Sequence, residues 1–170
     1  MIVLALDIAT ATGAAWDGPD GQPVFATHRA PDLGLGLKCK SFAGWLDETI
    51  MVVGPDLVAV EAPLMRTHNV KLRSSIETDR LLITLAGMAH YVAACSGLAV
   101  VEKNVQEVKA YFVGGRHVDK PAMIARARLL GWNVRNDHEA DAGALWALVR
   151  SQRDPQFRID TTPLFGRHHD

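Results

Sequence analysis

IVLALDIATATGAAWDGPDGQPVFATHR, residues 2–29, contains three segments that each have the pattern of a β-strand. The first, residues 2–6, is a continuous apolar run, which is typical of a strand buried on both faces. The other two, TGAAWDG (12–18) and PVFATHR (23–29), are separated by Gly, Pro and Asp residues that favour a turn. We therefore predict that the chain opens with three consecutive strands.

Beyond residue 29 the hydrophobic pattern alternates between helices and strands. Helical spacing of apolar residues predicts helices over residues 37–53, 74–96, 105–113 and 120–130, and a last helix whose N-cap is Asp137. Apolar runs predict further buried strands at residues 57–60 and 98–102. This order predicts an α/β fold. Apolar residues surround most of the helix 74–96, so we expect the sheet on one side of it and another surface, such as a second subunit, on the other.

Length and composition limit the possible classes of protein. A chain of 170 residues with 48% hydrophobic residues fits one domain, which we place at residues 1–152 with a C-terminal tail at 153–170. The sequence has no basic leader and no apolar run of about 20 residues, so we expect neither export nor a membrane span. The two cysteines, Cys39 and Cys95, lack the spacing of a zinc site and fit a reducing cytoplasm.

The charges are unevenly distributed along the chain. The formal net charge is −1, but residues 61–135 contain 11 Lys and Arg against 6 Asp and Glu. An enzyme that acts on a polyanion needs cations for phosphates beside carboxylates for a metal ion. The basic middle segment agrees with that requirement, although a solvated surface could show the same clustering.

Two acidic residues directly follow predicted strands. Asp7 comes after the run 2–6, and Glu61 comes after the run 57–60. If these strands are parallel neighbours, both carboxylates emerge at their carboxyl ends, where open α/β sheets bind ligands. We expect Asp7 and Glu61 to face one cleft.

The last predicted helix can add further ligands to that cleft. With Asp137 as N-cap, His138 and Asp141 are three residues apart and share one helix face. Several carboxylates in one dry cleft repel one another unless a cation lies among them, and oxygen-rich sites suit Mg²⁺ or Mn²⁺. A purely structural alternative has His138 and Glu139 solvated and Asp141 in a salt bridge with Arg135 or Arg150.

Four ordered segments resemble those of RuvC-like Holliday junction resolvases, especially the phage and prophage branch. They are VLALDIATATGAAW (3–16), LVAVEAP (57–63), VQEVKAYFVGGRHVDKPAMIARARLLGW (105–132) and NDHEADAGALWAL (136–148). The resemblance implies an RNase H-like mixed five-stranded sheet with helices on both faces. It also implies a homodimer and Mg²⁺-dependent cutting of branched DNA, with two ions in each active site.

The resemblance also assigns roles to particular residues. Asp7, Glu61 and Asp141 match three metal-binding acids of the family, and the fourth ligand is His138 or, close behind it, Asp137. Lys120 matches a catalytic lysine that can hold the scissile phosphate, and Lys109 matches an earlier basic position, for which a solvated surface role is equally expected.

This chain departs from the family pattern at three places. Ile8 stands where the family has proline, and Arg116 stands where it usually has glycine and could contact a phosphate. Bacterial members carry an aromatic residue after the second acid that stacks on a junction base, whereas this chain has Leu64 and Met65, which could act as an apolar wedge. The following segment supplies further predicted phosphate contacts, namely Arg66, Lys71 and Arg73.

These observations predict a metal-dependent, structure-selective DNA endonuclease that resolves four-way junctions in the cytoplasm of a bacterium or an infected host cell. Two alternatives stay open: a nuclease with relaxed choice among flaps and forks, and a non-catalytic module that binds junctions. The stretch DIATATG (7–13) is also similar to the phosphate loop of sugar kinases and actin-like ATPases. Those proteins need two such lobes, and this chain has room for only one.

Overall fold

The computed structural model describes residues 1–62, 75–116, 118–157 and 159. Five strands and five helices lie within these residues, and every predicted element is present with ends that agree within two residues. They are β1 (Val3–Asp7), β2 (Ala11–Asp17), β3 (Pro23–Arg29), α1 (Leu35–Val53), β4 (Leu57–Glu61), α2 (Ile76–Cys95), β5 (Ala99–Lys103), α3 (Val105–Val113), α4 (Lys120–Leu129) and α5 (Asp137–Arg153).

The five strands form one mixed sheet in the order β3-β2-β1-β4-β5. The three opening strands pair antiparallel, whereas β4 is parallel to both β1 and β5. The short turns after β1 and β2 permit antiparallel pairing, and the crossover helices α1 and α2 permit parallel pairing. The predicted mixed five-stranded α/β fold is therefore confirmed.

Helices cover both faces of this sheet, as predicted. Leu4 and Leu6 of β1 pack with α1 and α2 in one apolar core, while Val3 and Ala5 pack with α3, α4 and α5 in the other. Successive side chains of a strand point to opposite faces, so a strand between two cores must be apolar at every position. Burial on both faces of the sheet therefore explains the unbroken apolar run of β1.

The register of the central strands sets the position of the first two acids. In the parallel pair, Leu6 lies opposite Val60, and each strand continues by one residue, to Asp7 and Glu61 respectively. The backbone N–H of Ala62 donates to the carbonyl of Lys103 at 2.8 Å, which fixes the end of β4 to β5. Two carboxylates therefore leave the sheet from adjacent strands at the same edge.

The last helix begins one residue earlier than the cap prediction required. Asn136 is the N-cap: its Oδ1 accepts a hydrogen bond from the backbone N–H of Glu139 at 2.9 Å. Asp137 is the first helical residue, so the prediction that Asp137 caps α5 was wrong. Asn and Asp cap helices about equally well, so adjacent residues of these types leave the start of a helix ambiguous.

The start of the tail packs against the main core. Phe157 makes an edge-on contact with Trp146 of α5, with ring centroids 5.2 Å apart. The division of the chain at residue 152 stays a prediction. In the part of the chain that the structure describes, no helix is long and apolar enough to cross a membrane.

Candidate active site

Three acidic side chains lie together at the carboxyl ends of β1 and β4, namely Asp7, Glu61 and Asp141. We call them the acid cluster. The first two end neighbouring parallel strands, and α5, which carries Asp141, packs across β1, β2 and β4. The charge of Asp7 is close enough to raise the pKa of both Glu61 and Asp141, and the charge of Asp141 also raises that of Glu61. The structure thus brings together the three acids that the sequence predicted to face one cleft.

The electrostatics of the acid cluster are unfavourable without a bound cation. Burial, assisted by the negative charges of Asp7 and Asp141, raises the pKa of Glu61 to about 8. Burial and the charge of Asp7 likewise raise the pKa of Asp141 to about 6. Carboxyl groups that resist ionisation to this degree are frequent at functional sites, where a ligand supplies the missing positive charge.

His138 joins the cluster through a direct bond to Asp7. Its Nδ1 lies 2.8 Å from Oδ2 of Asp7, and both side chains are largely buried. The hydrogen bond to Asp7 raises the pKa of His138. An ionised carboxylate can only accept, so Nδ1 carries the hydrogen and Nε2 is the nitrogen left for other partners. The predicted sharing of one helix face by His138 and Asp141 is consistent with this geometry.

Gly13 permits the close approach of α5 that brings His138 to Asp7. Gly13 lies opposite Asp7 in the β1–β2 pair. A Cβ atom at Gly13 would lie 2.1 Å from the backbone oxygen of His138 and 2.4 Å from its carbonyl carbon. Real Cβ atoms do not make such contacts with backbone, so any side chain at this position would displace the first turn of the helix.

Lys120 and Asp137 form an ion pair beside the acid cluster. The ammonium of Lys120, the first residue of α4, bonds to Oδ2 of Asp137, the first residue of α5. This bond lowers the pKa of Asp137 and raises the pKa of Lys120. Lys120 remains two-thirds exposed, so its ammonium is accessible from solvent at the edge of the site. The carboxylate of Asp137 therefore has Lys120 as its side-chain partner.

Lys109 lies near the same site. Its ammonium donates to the carbonyl of Val118 at 3.0 Å, which ties α3 to the segment before α4. Its positive charge lowers the pKa of both Glu61 and Asp141, against the effect of burial. Lys109 is therefore close to the acid cluster, and its role toward a phosphate stays a prediction.

Glu139 is a site-adjacent residue that the sequence analysis did not single out. Its side chain is fully buried and accepts hydrogen bonds from the Arg135 guanidinium at 2.6 Å and from the Thr27 hydroxyl at 2.9 Å. Burial alone would raise the pKa of Glu139, but these bonds lower it. The spacing of Arg135 and Glu139, four residues apart, was the available signal. The pair fixes the start of α5 to β3.

The purely structural alternative for this segment was wrong. Glu139 is buried rather than solvated, and Arg135 pairs with it. Arg150 pairs with Asp17 at 3.0 Å, with Asp154 as a second partner. Neither arginine pairs with Asp141, because both of them bind other carboxylates.

Five of the predicted DNA-contacting residues lie outside the described residues, namely Leu64, Met65, Arg66, Lys71 and Arg73. Arg116 follows α3 and is exposed, and no ion pair joins it to another residue in the described ranges. Its predicted phosphate contact stays a prediction.

The donor set at this site fits a hard divalent cation. It offers carboxylate oxygens and an imidazole, which are suitable ligands for Mg²⁺ or Mn²⁺. Among residues 1–62, 75–116 and 118–157, however, no three His, Cys, Asp or Glu side chains are arranged to hold an ion as they stand. His138 occupies one oxygen of Asp7 and Lys120 one of Asp137. Binding an ion through either of these two occupied oxygens would require its present contact to exchange.

Comparisons with proteins of known structure identify the architecture. No family model and no curated protein sequence matches this chain. RuvC of Thermus thermophilus superimposes with a TM-score of 0.66 at 18% identity, over 90% of this chain and 96% of that one. T. thermophilus RuvC in complex with a Holliday junction substrate gives 0.67 at 20% identity, over 85% and 90%. The chain has the fold of RuvC.

A more distant structure shares this RuvC fold. The yeast mitochondrial Holliday junction resolvase Ydc2 superimposes with a TM-score of 0.57 at 9% identity, over 85% of this chain and 78% of that one. In this chain Asp7 and Glu61 end the central parallel strands of that fold, and α5 crosses the sheet beside them.

Proposed function

We propose that this protein is a divalent-metal-dependent endonuclease that cuts branched DNA, with four-way junctions as its principal substrate. The observation that carries the proposal is the meeting of Asp7, Glu61 and Asp141 at one edge of a RuvC-type sheet. Burial and repulsion raise the pKa of two of them, so a bound cation would stabilise the ionised site. Two compared resolvases are described by their junction substrate, which supports the choice of DNA.

The acid cluster would hold the metal ions, Mg²⁺ or Mn²⁺, two in each site, with His138 or Asp137 as the fourth ligand. Divalent ions bound there would lower the pKa of an attacking water and stabilise negative charge on the phosphodiester oxygens. In the structure both candidates for the fourth ligand already have partners, Asp7 for His138 and Lys120 for Asp137. Which of these contacts gives way is a question for mutagenesis.

The remaining residues would bind the phosphate and move a proton. Lys120 and Lys109 are positioned to bind the scissile phosphate and to offset the charge that develops on it. If Asp137 is the fourth ligand, Nε2 of neutral His138 is free to accept the proton of the attacking water, because Nδ1–H is directed to Asp7. The water oxygen bonds to phosphorus, the bond to the 3′ oxygen breaks, and that oxygen takes up a proton from solvent, which leaves a 5′-phosphate and a 3′-hydroxyl.

A homodimer would provide the two cuts that junction resolution needs. Ile76, Ile83 and Tyr91, seven and eight residues apart, share one side of α2 and are 75%, 46% and 64% exposed. A row of large apolar side chains on one helix supports the predicted subunit contact. The protein would act on DNA in the cytoplasm of a bacterium or of a phage-infected cell.

Two alternatives each have one supporting observation. Leu64 and Met65 replace the aromatic residue of bacterial family members, which favours relaxed choice among flaps and forks. The contacts of Asp7 with His138 and of Asp137 with Lys120 leave no ready ion site among the described side chains, which favours a junction-binding module without turnover. The complete set of acids favours the enzyme over this second alternative.

One experiment separates the three functions. End-labelled four-way, three-way and flap DNA is incubated with the protein, with and without Mg²⁺, and the products are resolved on a denaturing gel. Paired cuts only in the four-way substrate, only with Mg²⁺, are expected. Equal cutting of all substrates indicates the relaxed nuclease, and retardation of the junction without any cut indicates the binding module. Absence of both binding and cutting contradicts the proposal.

A further inference from the structure

Two clefts adjoin at Thr10, in the turn between β1 and β2, and together form what we call the turn groove. The first, of about 290 Å³, lies between this turn and the end of β3 and is lined by His138 of the candidate active site and by Arg29. The second, of about 470 Å³, lies between the starts of α1 and α2 and is lined by Lys38 and Arg80. Thr10 lines both clefts, so the groove extends from the active site to the α1–α2 side of the molecule.

The floor of the turn groove is held in place by the backbone and by one buried hydroxyl. Thr12 is 1% exposed, and its Oγ1 donates to the carbonyl of Ala9 at 2.9 Å. The N–H of Ala30 donates to the carbonyl of Thr10 at 3.0 Å, which fixes the turn to the end of β3. The groove therefore has a preformed floor next to His138.

The turn groove contains three cations that pair with no acid in the part of the chain that the structure describes. Arg29, Lys38 and Arg80 form no ion pair with any residue in the described ranges. One acid, Glu77, also lines the second cleft, so the groove has an excess of positive charge. Unpaired cations in a preformed groove favour a polyanionic ligand.

The arrangement of the cations fits a chain of phosphates better than one small anion. Arg29 lines only the first cleft, and Lys38 and Arg80 line only the second, so the charges lie on either side of Thr10. No Phe, Tyr or Trp side chain lines either cleft in the described part of the chain, so beyond the His138 ring the groove offers no stacking surface for bases. These features suit contacts to a sugar-phosphate backbone.

We infer that the DNA strand leaving the active site on the His138 side lies in the turn groove, with its phosphates on Arg29, Lys38 and Arg80. This inference rests on the proposed function and adds a path for the substrate. Lys109 and Lys120 hold the scissile phosphate at the acid cluster, and the turn groove holds the strand beyond it. Contacts of this kind position DNA without reading its sequence.

The test is the salt dependence of junction binding, which counts phosphate contacts. A fluorescent four-way junction is titrated with protein in Ca²⁺ at several salt concentrations, and the slope of log Kd against log salt is measured. The triple variant Arg29→Ala, Lys38→Ala, Arg80→Ala is expected to lower that slope by about two to three, near one for each lost contact. A triple control removes three exposed cations outside the groove: Lys40→Ala, Arg128→Ala, Arg153→Ala.

The outcomes separate this inference from the proposed function. Suppose that the unsubstituted protein cleaves the junction and the groove variant keeps an unchanged slope. This result overturns the inference about the turn groove and is compatible with the proposed nuclease function. An equal fall of the slope in the control triple variant shows an effect of net charge, and this result also overturns the inference. No junction binding by the unsubstituted protein overturns the proposed function as well. If the groove triple fails to fold, the single variants replace it, with Arg29→Lys expected to keep the slope that Arg29→Ala loses.

Discussion

The ammonium of Lys120 binds the carboxylate of Asp137, so the first residue of α4 is tied to the first residue of α5 beside the acid cluster. The bond suggests a role for Asp137 that the sequence did not, as the group that holds the lysine proposed to bind the scissile phosphate. Asp137→Asn should therefore lower the cleavage rate about 10-fold to 100-fold, as loss of a supporting contact does. A double variant with Lys120→Ala should lose little more than Lys120→Ala alone, because the two residues act together. Single-turnover cleavage of a four-way junction measures these effects; full additivity would separate the two residues.

Asp7 and Asp141 are expected to be essential for cleavage but not for binding. Asp7→Asn and Asp141→Asn each remove a ligand charge from the acid cluster, so cutting in Mg²⁺ should be abolished while junction binding in Ca²⁺ persists. Asp47→Asn, on the exposed side of α1, is the matched control and should cut at the normal rate. Cutting by either acid-cluster variant at the normal rate would remove that acid from the mechanism.

Stability without metal should fall as the pH rises. Three groups bind protons more tightly when the protein is folded: Glu61 with its pKa raised to about 8, Asp141 with its pKa raised to about 6, and His138. Between about pH 4.5 and 8 the folded protein therefore holds more protons than the unfolded chain, and the free energy of unfolding decreases with pH. Thermal melting in EDTA should give a lower Tm at pH 8 than at pH 5.

Two further measurements test the origin of this pH dependence. Glu61→Gln should flatten the decline between pH 5 and 8, because a neutral amide does not titrate. Mg²⁺ should raise the Tm more at pH 8 than at pH 5, because ionised carboxylates bind it better. A Tm that rises from pH 5 to pH 8 in EDTA contradicts the electrostatic description of the site.

Gly13→Ala should damage the site by moving α5. The new methyl group would collide with the backbone of His138, at an expected cost of about 1–3 kcal/mol in the free energy of unfolding. Gly44→Ala is the control: a Cβ there meets nothing within 4 Å, and alanine within α1 should stabilise the protein by about 0.5–1 kcal/mol. Urea denaturation measures both. Equal stabilisation by the two substitutions would show that α5 does not press on β2.

A charged residue on the exposed side of α2 should weaken the proposed dimer. Tyr91→Asp places an unpaired carboxylate among apolar side chains, so the protein should shift to monomer in analytical ultracentrifugation. Leu129→Asp, at an exposed apolar position on α4, is the control and should leave the dimer intact. If the unsubstituted protein is a monomer at all concentrations tested, the subunit contact is wrong.

The fold could be predicted from the sequence because its signals are local and periodic. The run 2–6 and the helical stripe of residues 37–53 depend on side-chain spacing alone, and both appear as strand and helix within two residues of the expected ends. The position of Asp7 and Glu61 also followed, because parallel strands that end in acids must present them at one edge.

The finer contacts of the site could not be predicted in the same way. Asn136 and Asp137 are adjacent residues of nearly equal capping strength, so the sequence does not show which of the two side chains caps α5. The pairing of Asp137 with Lys120 and the approach of Gly13 to His138 join residues 17 and 125 positions apart. Such contacts depend on how helices pack on the sheet, which no local pattern specifies.

The parallel register of β1 and β4 separates the positions of the acids in the candidate active site from the identity of the residues predicted to contact DNA. Backbone hydrogen bonds between these strands set the relative positions of Asp7 and Glu61, and β4 ends at Glu61, before the DNA contacts that the sequence predicts at residues 64–73. If the protein is the proposed nuclease, replacements among those predicted contacts should alter which DNA branch is preferred while the cutting chemistry is retained. A lineage of such nucleases could then exchange substrates without rebuilding its reactive centre.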